Sequence, residues 1–566
     1  MTQEEVVASL PAHLRPFVEV QDYREQYTAQ DQALWRFIMR HLVRQLRATA
    51  HPVYLEGLAR TGIALDHIPS IDEMNACLAQ LGWRAVVVDG FIPPAIFMEF
   101  QALRVLVIAL DMRSVEHVVY TPAPDIVHEA AGHAPFIVDV DYAEFLQRFG
   151  EIGMRAIASR RDHAQYEAIR ELSILKETPG VDPQRIAAAE QTLNALQAAE
   201  ETPSEAALLA RLHWWTVEYG LVGDVADYRL FGAGLLSSLG ESRHCLDDLR
   251  VRKLPLTVDA VSRPYDITRE QPQLYVTRSC RHLSQVLEEF AATMAYRVGG
   301  AAALRQAITA GTVCTAEYDS GVQVSGCFTS VLCDVVGKAI YMQCTGPTQI
   351  AFRGTEIYGH GTTAHAEGFG SPIGRLKDFT RCLSEYSVDE LKAHDIRIGQ
   401  PVCLEFLSGI TVRGYLQDVL RQEHRNLLLS FRDCTVTDLR GQVLFEPAWG
   451  RYDMTVGGTI CSVFGGSADR EKYQLYQPVV SGRSPRAAPD AELEEAYLSV
   501  AALAQGGDQA PVVRALDARP QDWLLRAEVL ALGDRAAATL AQRARRELRE
   551  IGAAHRELRE VLALVS

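Results

Sequence analysis

The segment "DIVHEAAGHAPF", residues 125–136, contains two histidines, His128 and His133, five positions apart, with Glu129 directly after the first. Paired imidazoles are frequent metal ligands, and in the pattern H-E-x-x-H a spacing of four puts both on one face of a helix. At about 100° per residue, positions five apart diverge by about 140° on a regular helix, which is too far for one metal. The spacing therefore requires that the second histidine lie where the helix ends.

Proline and glycine residues around the two histidines are consistent with such an ending. Pro122 and Pro124 precede the segment, where proline suits a helix start, and Gly132 and Pro135 flank His133. We therefore predict a short regular helix from about residue 124 to residue 132, with His133 in its exit turn.

A third ligand is needed, and a carboxylate is the natural candidate. Glu218 lies in "ARLHWWTVEYGL", among aromatic and apolar neighbours where an unpaired charge would be costly. Two imidazoles and one carboxylate form the facial triad of non-haem Fe(II) oxygenases. Two other interpretations stay open: a purely structural set of helix-capping histidines and an ion-paired glutamate, and a zinc hydrolase in which Glu129 acts as it does in metalloproteases.

The overall composition excludes several classes of protein. A chain of 566 residues is long enough for two or three domains. The 56 Lys+Arg against 72 Asp+Glu give a net charge of −16, which argues against nucleic acid or an anionic membrane as partner. No apolar run approaches the ~20 residues of a membrane span. The eleven cysteines form no C-x-x-C pair, which predicts a reduced, cytoplasmic protein.

Three regions differ in their sequence patterns, which predicts a multidomain α+β chain. Residues 1–300 have mainly helical periodicity, and residues 301–480 contain short β-branched runs broken by glycine, typical of a sandwich or small barrel. Residues 481–566 read as a linker followed by a helical tail. The last amphipathic stretch, "ELREIGAAHRELREVLALV", either pairs with a second subunit in a homo-oligomer or docks on its own chain.

Several long motifs in the first 300 residues identify a family. "YTAQDQALWRFIMRHL", "YTPAPDIVHEAAGHAPF", "WWTVEYGL", "FGAGLLSSLGE" and "EFAATM" occur in this order between about Leu10 and Arg297. In these motifs the chain resembles the pterin-dependent aromatic amino acid hydroxylases. The resemblance implies a mainly α-helical catalytic domain in which His128, His133 and Glu218 hold Fe(II). It also implies tetrahydrobiopterin, or a related reduced pterin, as cofactor, O2 as cosubstrate, and an Fe(IV)-oxo species that hydroxylates the aromatic ring.

The same resemblance implies roles for further residues. Arg113 corresponds to the arginine that binds the substrate carboxylate, and Asp125 is placed to orient it. Ser237 corresponds to a polar residue of the substrate pocket that is also able to steady His128, and the resemblance implies that Ser237 and Glu218 are catalytic. Phe97 corresponds to the ring on which the pterin stacks, with Glu129 facing the pterin. The other implied substrate-pocket residues are Thr121, Trp214, Tyr219, Gly234 and Glu241.

The most favoured reaction is the conversion of L-phenylalanine into L-tyrosine. Ile267 matches a position that is apolar in the phenylalanine-specific members of the family and acidic in the tyrosine-specific members. Another aromatic substrate or another ring position remains an open alternative.

Three features depart from the family or lie outside it. Residues 161–204, rich in Ala, Glu and Gln, predict an inserted helical pair. His213 stands where the family commonly has tyrosine. In the β-rich region, "YGHGTTAHAEGFG" places His360 and His365 in a glycine-rich loop, and although a metal or phosphate site is conceivable there, we expect ordinary solvated histidines.

Overall fold

Helices predominate in the first 310 residues. The computed structural model describes residues 1–118, 124–177, 181–198, 202–267, 269–477, 490–555 and 558–563. The α-helices of this part are Gln3–Ser9, Tyr23–Gln26, Ala29–Leu46, Val53–Arg60, Ile71–Leu78, Pro94–Ala102, Val140–Gly153, Arg160–Glu177, Pro183–Ala198, Glu205–His213, Ala233–Ser237, Glu241–His244, Cys280–Ala291, Ala295–Val298 and Gly300–Ala310. The 3-10 helices are Arg15–Phe17, Ala79–Leu81, Val115–His117, Ala134–Val138 and Val258–Ser262.

The longest helix of the core, Ala29–Leu46, illustrates how the sequence forms these elements. Thr28 and Asp31 form a capping box, in which each side chain accepts a hydrogen bond from the other residue's backbone N–H. Apolar residues then recur at helical spacing, and most of them are fully buried. The helix therefore has a defined start and packs its apolar face into the main core.

Two small sheets accompany the helices, and the sequence patterns did not predict them. Arg84–Val88 pairs in parallel with Val105–Ala109. The second sheet has four strands, in the order Asp227–Leu230, Leu221–Asp224, Gln273–Thr277 and Arg252–Pro255. These strands have only four or five residues each. In so short a segment, the alternation of apolar and polar residues that marks a strand cannot be recognised between helices.

The segment predicted as an insertion folds as two packed helices, Arg160–Glu177 and Pro183–Ala198. The Arg161 guanidinium donates to the carbonyl oxygen of Leu196 at 2.7 Å, which joins the two helices. The Tyr166 hydroxyl donates to the carbonyl oxygen of Phe91 at 3.0 Å. The pair therefore contacts the loop that leads into the helix of Phe97.

Residues 313–465 form two antiparallel sheets. The first has the order Thr355–Glu356, Ala339–Phe352, Val322–Cys333, Val313–Tyr318, Ile460–Gly465, with Gly368–Pro372 also paired to Ala339–Phe352. The second has the order Pro401–Glu405, Thr411–Gln422, Arg425–Thr437, Val443–Phe445, with Tyr452–Thr455 also paired to Arg425–Thr437. A helix, Val388–Ala393, and two 3-10 turns, Leu383–Glu385 and Pro447–Trp449, complete this region. Each sheet contributes to a separate buried apolar cluster.

The carboxyl-terminal helices pack on the amino-terminal part of the same chain. They are Ala491–Ala504, Ala510–Ala518, Trp523–Ala531, Ala538–Ala554 and Arg559–Leu562, with a 3-10 turn at Gly533–Arg535. The Trp523 ring meets the Phe37 ring edge to face, 5.1 Å between centroids. Arg36 donates two hydrogen bonds to one carboxylate oxygen of Glu528, at 2.9 and 2.6 Å. The predicted linker falls mostly on residues 478–489, outside the described residues.

A buried carboxylate joins the β-rich region to the first 300 residues. Glu99, on the helix of Phe97, is 6% exposed and accepts hydrogen bonds from Arg470 at 2.7 Å and from His13 at 2.9 Å. Although burial raises the pKa of Glu99, these two partners hold it below its usual value. The charge of Glu99 is thus compensated by a residue distant in sequence.

All eleven cysteines are unpaired thiols. Among the described residues, no helix is both long enough and apolar enough to cross a membrane.

We predict that Arg470→Ala lowers the free energy of unfolding by about 1–3 kcal/mol, because it leaves Glu99 buried with His13 as its remaining partner. Urea denaturation checks this. Arg60→Ala is the matched control, since Arg60 pairs with Glu56 on the surface and its loss should cost no more than about 0.5 kcal/mol. Equal effects of the two substitutions would contradict the interpretation, and adding Glu99→Gln to Arg470→Ala should recover part of the loss.

Candidate metal centre and active site

The two histidines of the opening motif lie on a π-helix, Val127–His133, so the prediction of a regular helix that ends at residue 132 is wrong. A π-helix joins each residue to the one five positions away, which brings positions five apart to the same side. His133 does not lie in an exit turn, because a 3-10 helix, Ala134–Val138, continues directly from it despite Pro135. The spacing of five is thus accommodated by the helix type itself.

Glu218 is presented by a second π-helix, Trp214–Glu218. The N–H of Tyr219 donates to the carbonyl oxygen of Trp214 at 2.9 Å, a hydrogen bond across five residues. His213, again five positions from Glu218, has its Nδ1 3.6 Å from Glu218 Oε1. Two short π-helices, both rare elements, therefore face each other across one site.

Three candidate ligand side chains converge between these helices. His128 Nε2 lies 3.2 Å from His133 Nε2 and 3.2 Å from Glu218 Oε2, and His133 Nε2 lies 3.4 Å from Glu218 Oε1. With metal–ligand bonds of about 2.1 Å, adjacent ligands at right angles lie about 3.0 Å apart. The observed separations fit one ion bound on one face by His128, His133 and Glu218.

The hydrogen bonds of Ser237 select the metal-binding tautomer of His128. The Ser237 hydroxyl donates to the carbonyl oxygen of Ala233 at 2.8 Å, so its oxygen is left to accept from His128 Nδ1 at 3.1 Å. The proton of His128 therefore resides on Nδ1, and the lone pair of Nε2 points toward His133 and Glu218.

Asp125 connects Arg113 to the histidine helix. It receives two hydrogen bonds from the Arg113 guanidinium, at 2.7 and 2.8 Å, and one from the backbone N–H of His128 at 3.0 Å. Arg113 also donates to the carbonyl oxygen of Ser237 at 3.3 Å. Although burial raises the pKa of Asp125, Arg113 holds it below its usual value. The bidentate pair fixes the plane of the guanidinium beside the metal centre.

Three glycines allow the backbones around the site to approach closely. A Cβ on Gly132 would lie 2.8 Å from the carbonyl oxygen of Ala233, and one on Gly232 would lie 2.5 Å from the carbonyl oxygen of Glu218. A Cβ on Gly234 would lie 2.8 Å from the Tyr219 ring. Gly132 therefore serves close packing rather than ending a helix, which corrects the role predicted for it.

The carboxylates of the site differ in their protonation. Although burial raises the pKa of Glu218, the charges and hydrogen bonds of His133 and His128 hold it well below its usual range. Burial raises the pKa of Glu129 to about 8, even with His133 Nε2 3.9 Å from its carboxylate. Glu218 is thus the anionic group suited to a cation, and Glu129 carries a proton at neutral pH.

An aromatic wall stands beside the metal centre. The Trp214 ring stacks on Tyr265, with 4.3 Å between centroids and 10° between planes, and lies 4.7 Å from the Tyr219 ring. The Tyr219 hydroxyl donates to Glu241 at 3.1 Å, and burial raises the pKa of Glu241 to about 7. The indole N–H of Trp214 is buried without a hydrogen-bond partner in the described residues, as expected of a group that faces a bound molecule.

The half-buried ring of Phe97 lies 6.1 Å from the ring of His213, which also contacts Phe149 at 5.1 Å. Burial lowers the pKa of His213 to about 4, so this imidazole is neutral. His213 thus lies between Phe97 and Glu218, since its Nδ1 is 3.6 Å from Glu218 Oε1.

Most residues that the sequence suggests for this site lie close together in the structure. Two residues of the site, Tyr265 and His213, were not predicted, and one predicted residue, Thr121, is not described. Tyr265 was missed because its stack on Trp214 joins positions 51 apart, and no local pattern signals such a contact. His213 was noted only as a departure, although its spacing of five from Glu218 repeats that of His128 and His133. Thr121 lies outside the described residues.

The residues that form this site fall in a part of the chain that resembles known proteins. The profile of the biopterin-dependent aromatic amino acid hydroxylases matches residues 19–170 and 183–299. That part of the chain is therefore similar to this family of oxidoreductases, and the break in the match lies within the inserted helical pair.

Relatives in this family are phenylalanine-4-hydroxylases. The protein of Chromobacterium violaceum is 28% identical over 262 residues, 44% of this chain and 73% of the relative. That of Pseudomonas aeruginosa is 27% identical over 264 residues, 46% of this chain and 84% of the relative. A solved structure of the C. violaceum enzyme with iron(III) and 7,8-dihydrobiopterin covers 52% of this chain and 91% of its own, at 26% identity and a TM-score of 0.39.

We predict that His128→Ala, His133→Ala and Glu218→Ala each abolish stoichiometric binding of iron, because each removes one of three protein ligands. Elemental analysis after anaerobic loading with Fe(II) measures the occupancy. Glu218→Gln should retain the fold but bind iron more weakly, since it keeps the shape and removes the compensating charge. Full occupancy in any of the three alanine variants would show that the triad is assigned wrongly.

Proposed function

We propose that the chain is a phenylalanine 4-monooxygenase, which uses tetrahydrobiopterin and O2 to convert L-phenylalanine into L-tyrosine at an Fe(II) centre. The observation that carries the proposal is the convergence of two imidazole nitrogens and the two oxygens of one carboxylate, at separations of 3.2–3.4 Å, from two π-helices. This convergence lies within the part of the chain that the profile of the pterin-dependent hydroxylases matches.

His128, His133 and Glu218 would hold the metal, and Phe97 with Glu129 would border the pterin. When bound, the metal would activate O2 and the reduced pterin would supply two electrons, so that one oxygen atom enters the ring and the other is reduced to the level of water. Ser237 keeps the proton of His128 on Nδ1 and so maintains Nε2 as a ligand. Gly132 and Gly232 permit the tight packing that holds the two π-helices in place.

The substrate would lie between Arg113 and the aromatic wall. Three of the five N–H donors of Arg113 are used by Asp125 and the Ser237 carbonyl, which leaves donors for the substrate carboxylate. Trp214, braced by Tyr265, offers a flat apolar surface for the substrate ring, and Gly234 with Tyr219 and Glu241 would complete the pocket. Half-buried Ile267 adds no charge that would favour a hydroxylated ring.

We further propose a division of the chain into a catalytic domain at residues 1–300, a β-rich domain at 301–480 and a linker with a helical tail at 481–566. The ligand and pocket residues all precede residue 300, which supports the first boundary. The pairing of Glu99 with Arg470 argues that the β-rich domain braces the helix of Phe97. Self-association through the tail would use the outer face of Ala491–Ala504, where Leu498 is 53% exposed.

We expect Arg113→Lys to raise the KM for L-phenylalanine by about 10-fold or more, because a lost charge-assisted bidentate contact costs about 1.5–3 kcal/mol. Iron content should not change. L-Phenylalaninamide, which lacks the carboxylate, separates substrate binding from a structural role: the preference of the parent enzyme for the acid over the amide should shrink in the variant. An unchanged preference would mean that Arg113 only anchors Asp125.

The reaction itself is tested by anaerobic loading with Fe(II), followed by tetrahydrobiopterin, O2 and each aromatic amino acid in turn. We expect L-tyrosine from L-phenylalanine, identified by mass and by chromatographic separation from the meta isomer, and no product from the His128→Ala control. A meta-hydroxylated product or a preference for another amino acid would correct the substrate assignment. Stable binding of zinc without any hydroxylation would favour a hydrolase instead.

A further inference from the structure

The β-rich region contains a second cluster of metal-ligand type, formed by His360, His365 and Asp453. The two histidines, expected from sequence to be solvated, instead face each other, and His360 and Asp453 have side chains only 7% and 8% exposed. The rings of His360 and His365 are 5.5 Å apart, nearly parallel at 21°. This cluster has no part in the hydroxylase site described above.

Backbone hydrogen bonds hold the histidine loop against the first sheet. The N–H of His360 donates to Ile357, and the carbonyl oxygens of His360 and His365 accept from Ile350 and Thr348, on the neighbouring strand, at 2.9 and 3.0 Å. Because both histidines are anchored at the backbone, their side chains are preorganised. Asp453 comes from Tyr452–Thr455, a strand of the second sheet, so the cluster lies where the two sheets meet.

The separations within the cluster suit a small cation. His360 Nδ1 lies 3.2 Å from His365 Nε2 and 3.8 Å from Asp453 Oδ2, and all three ligand atoms lie within 4.8 Å of one another. In a tetrahedral site with bonds of about 2.0–2.1 Å, ligand atoms lie about 3.4 Å apart. Small side-chain movements would therefore place all three atoms at bonding distance.

Asp453 presents one oxygen to the cluster and has the other occupied. Its Oδ1 accepts hydrogen bonds from the Ser430 hydroxyl at 2.5 Å and from Arg451 Nε at 2.9 Å. Oδ2 is the oxygen nearest His360. Partners that occupy the second oxygen orient a ligating carboxylate, as in established metal sites. Arg451 is half exposed, which limits its repulsion of a cation.

The imidazole nitrogens that face each other, His360 Nδ1 and His365 Nε2, lie 3.2 Å apart. Two neutral imidazoles whose nitrogens face each other either share one proton or share a cation. The carboxylate beside them favours the cation, because it supplies the compensating negative charge.

We propose that His360, His365 and Asp453 bind a divalent transition metal of the Zn²⁺ class, which links the loop of the first sheet to the second sheet. Three protein ligands leave a fourth position, and partly exposed His365 leaves that position open toward solvent. The site is independent of the iron centre and takes a different coordination geometry.

Zinc stoichiometry of the full-length protein tests the proposal. The protein is stripped with chelator, titrated with ZnCl2, desalted and measured by elemental analysis, in the parent, His128→Ala, His365→Ala and the double variant. His128→Ala removes binding at the iron centre, so this variant should retain one zinc per chain and the double variant none. Zinc should also raise the Tm of His128→Ala and leave that of the double variant unchanged.

Two further variants, made in the His128→Ala background, separate loss of the metal site from misfolding. Asp453→Asn preserves shape and should lose the zinc while circular dichroism stays the same. Thr363→Ala, at an exposed position of the same loop, should keep it. Absence of zinc in His128→Ala, or retention of zinc in the double variant, would overturn the proposal and leave a hydrogen-bonded histidine pair.

Discussion

The hydroxylase site depends on one constraint, the hydrogen bonding across five residues in two short helices. On a regular helix, His128 and His133 would point in different directions, and no rotamer change would bring both to one ion. The π-helical turn aligns them, and the turn at Trp214–Glu218 delivers the carboxylate from the opposite side. π-Helices are uncommon because their geometry is less favourable than that of the α-helix. Each therefore needs support from its surroundings.

That support comes from close backbone packing and from one buried ion pair. The helix Ala233–Ser237 contacts both π-helices at positions where only glycine fits, Gly132 on one side and Gly232 on the other. It also supplies Ser237, which fixes the tautomer of His128. Asp125 holds the start of the histidine helix through the N–H of His128 and is itself fixed by Arg113. The same groups that orient the ligands thus stabilise the unusual backbone.

The sequence identified the residues that converge at the site better than it predicted the geometry of their helices. His128, His133 and Glu218, which lie together in the structure, could be named because they fall in long family motifs. The helix Ala29–Leu46 could be located from its capping residues and apolar spacing. The helix type at His128 was wrong because periodicity rules assume 3.6 residues per turn, although a spacing of five is itself what a π-turn accommodates. Tyr265 and the cluster at His360 depend on tertiary contacts, Trp214 in one case and Asp453 in the other, which local patterns do not encode.

The pairing of Glu99 with Arg470 also has a consequence for biosynthesis. The two residues are 371 positions apart, so at about 5–20 residues per second a ribosome adds Arg470 about 20–70 s after Glu99. Throughout that interval the helix of Phe97 can bury Glu99 only against His13, or must leave the carboxylate in water. The ion pair that joins the helix of Phe97 to the β-rich region therefore forms late in synthesis, after the rest of the amino-terminal half has left the ribosome.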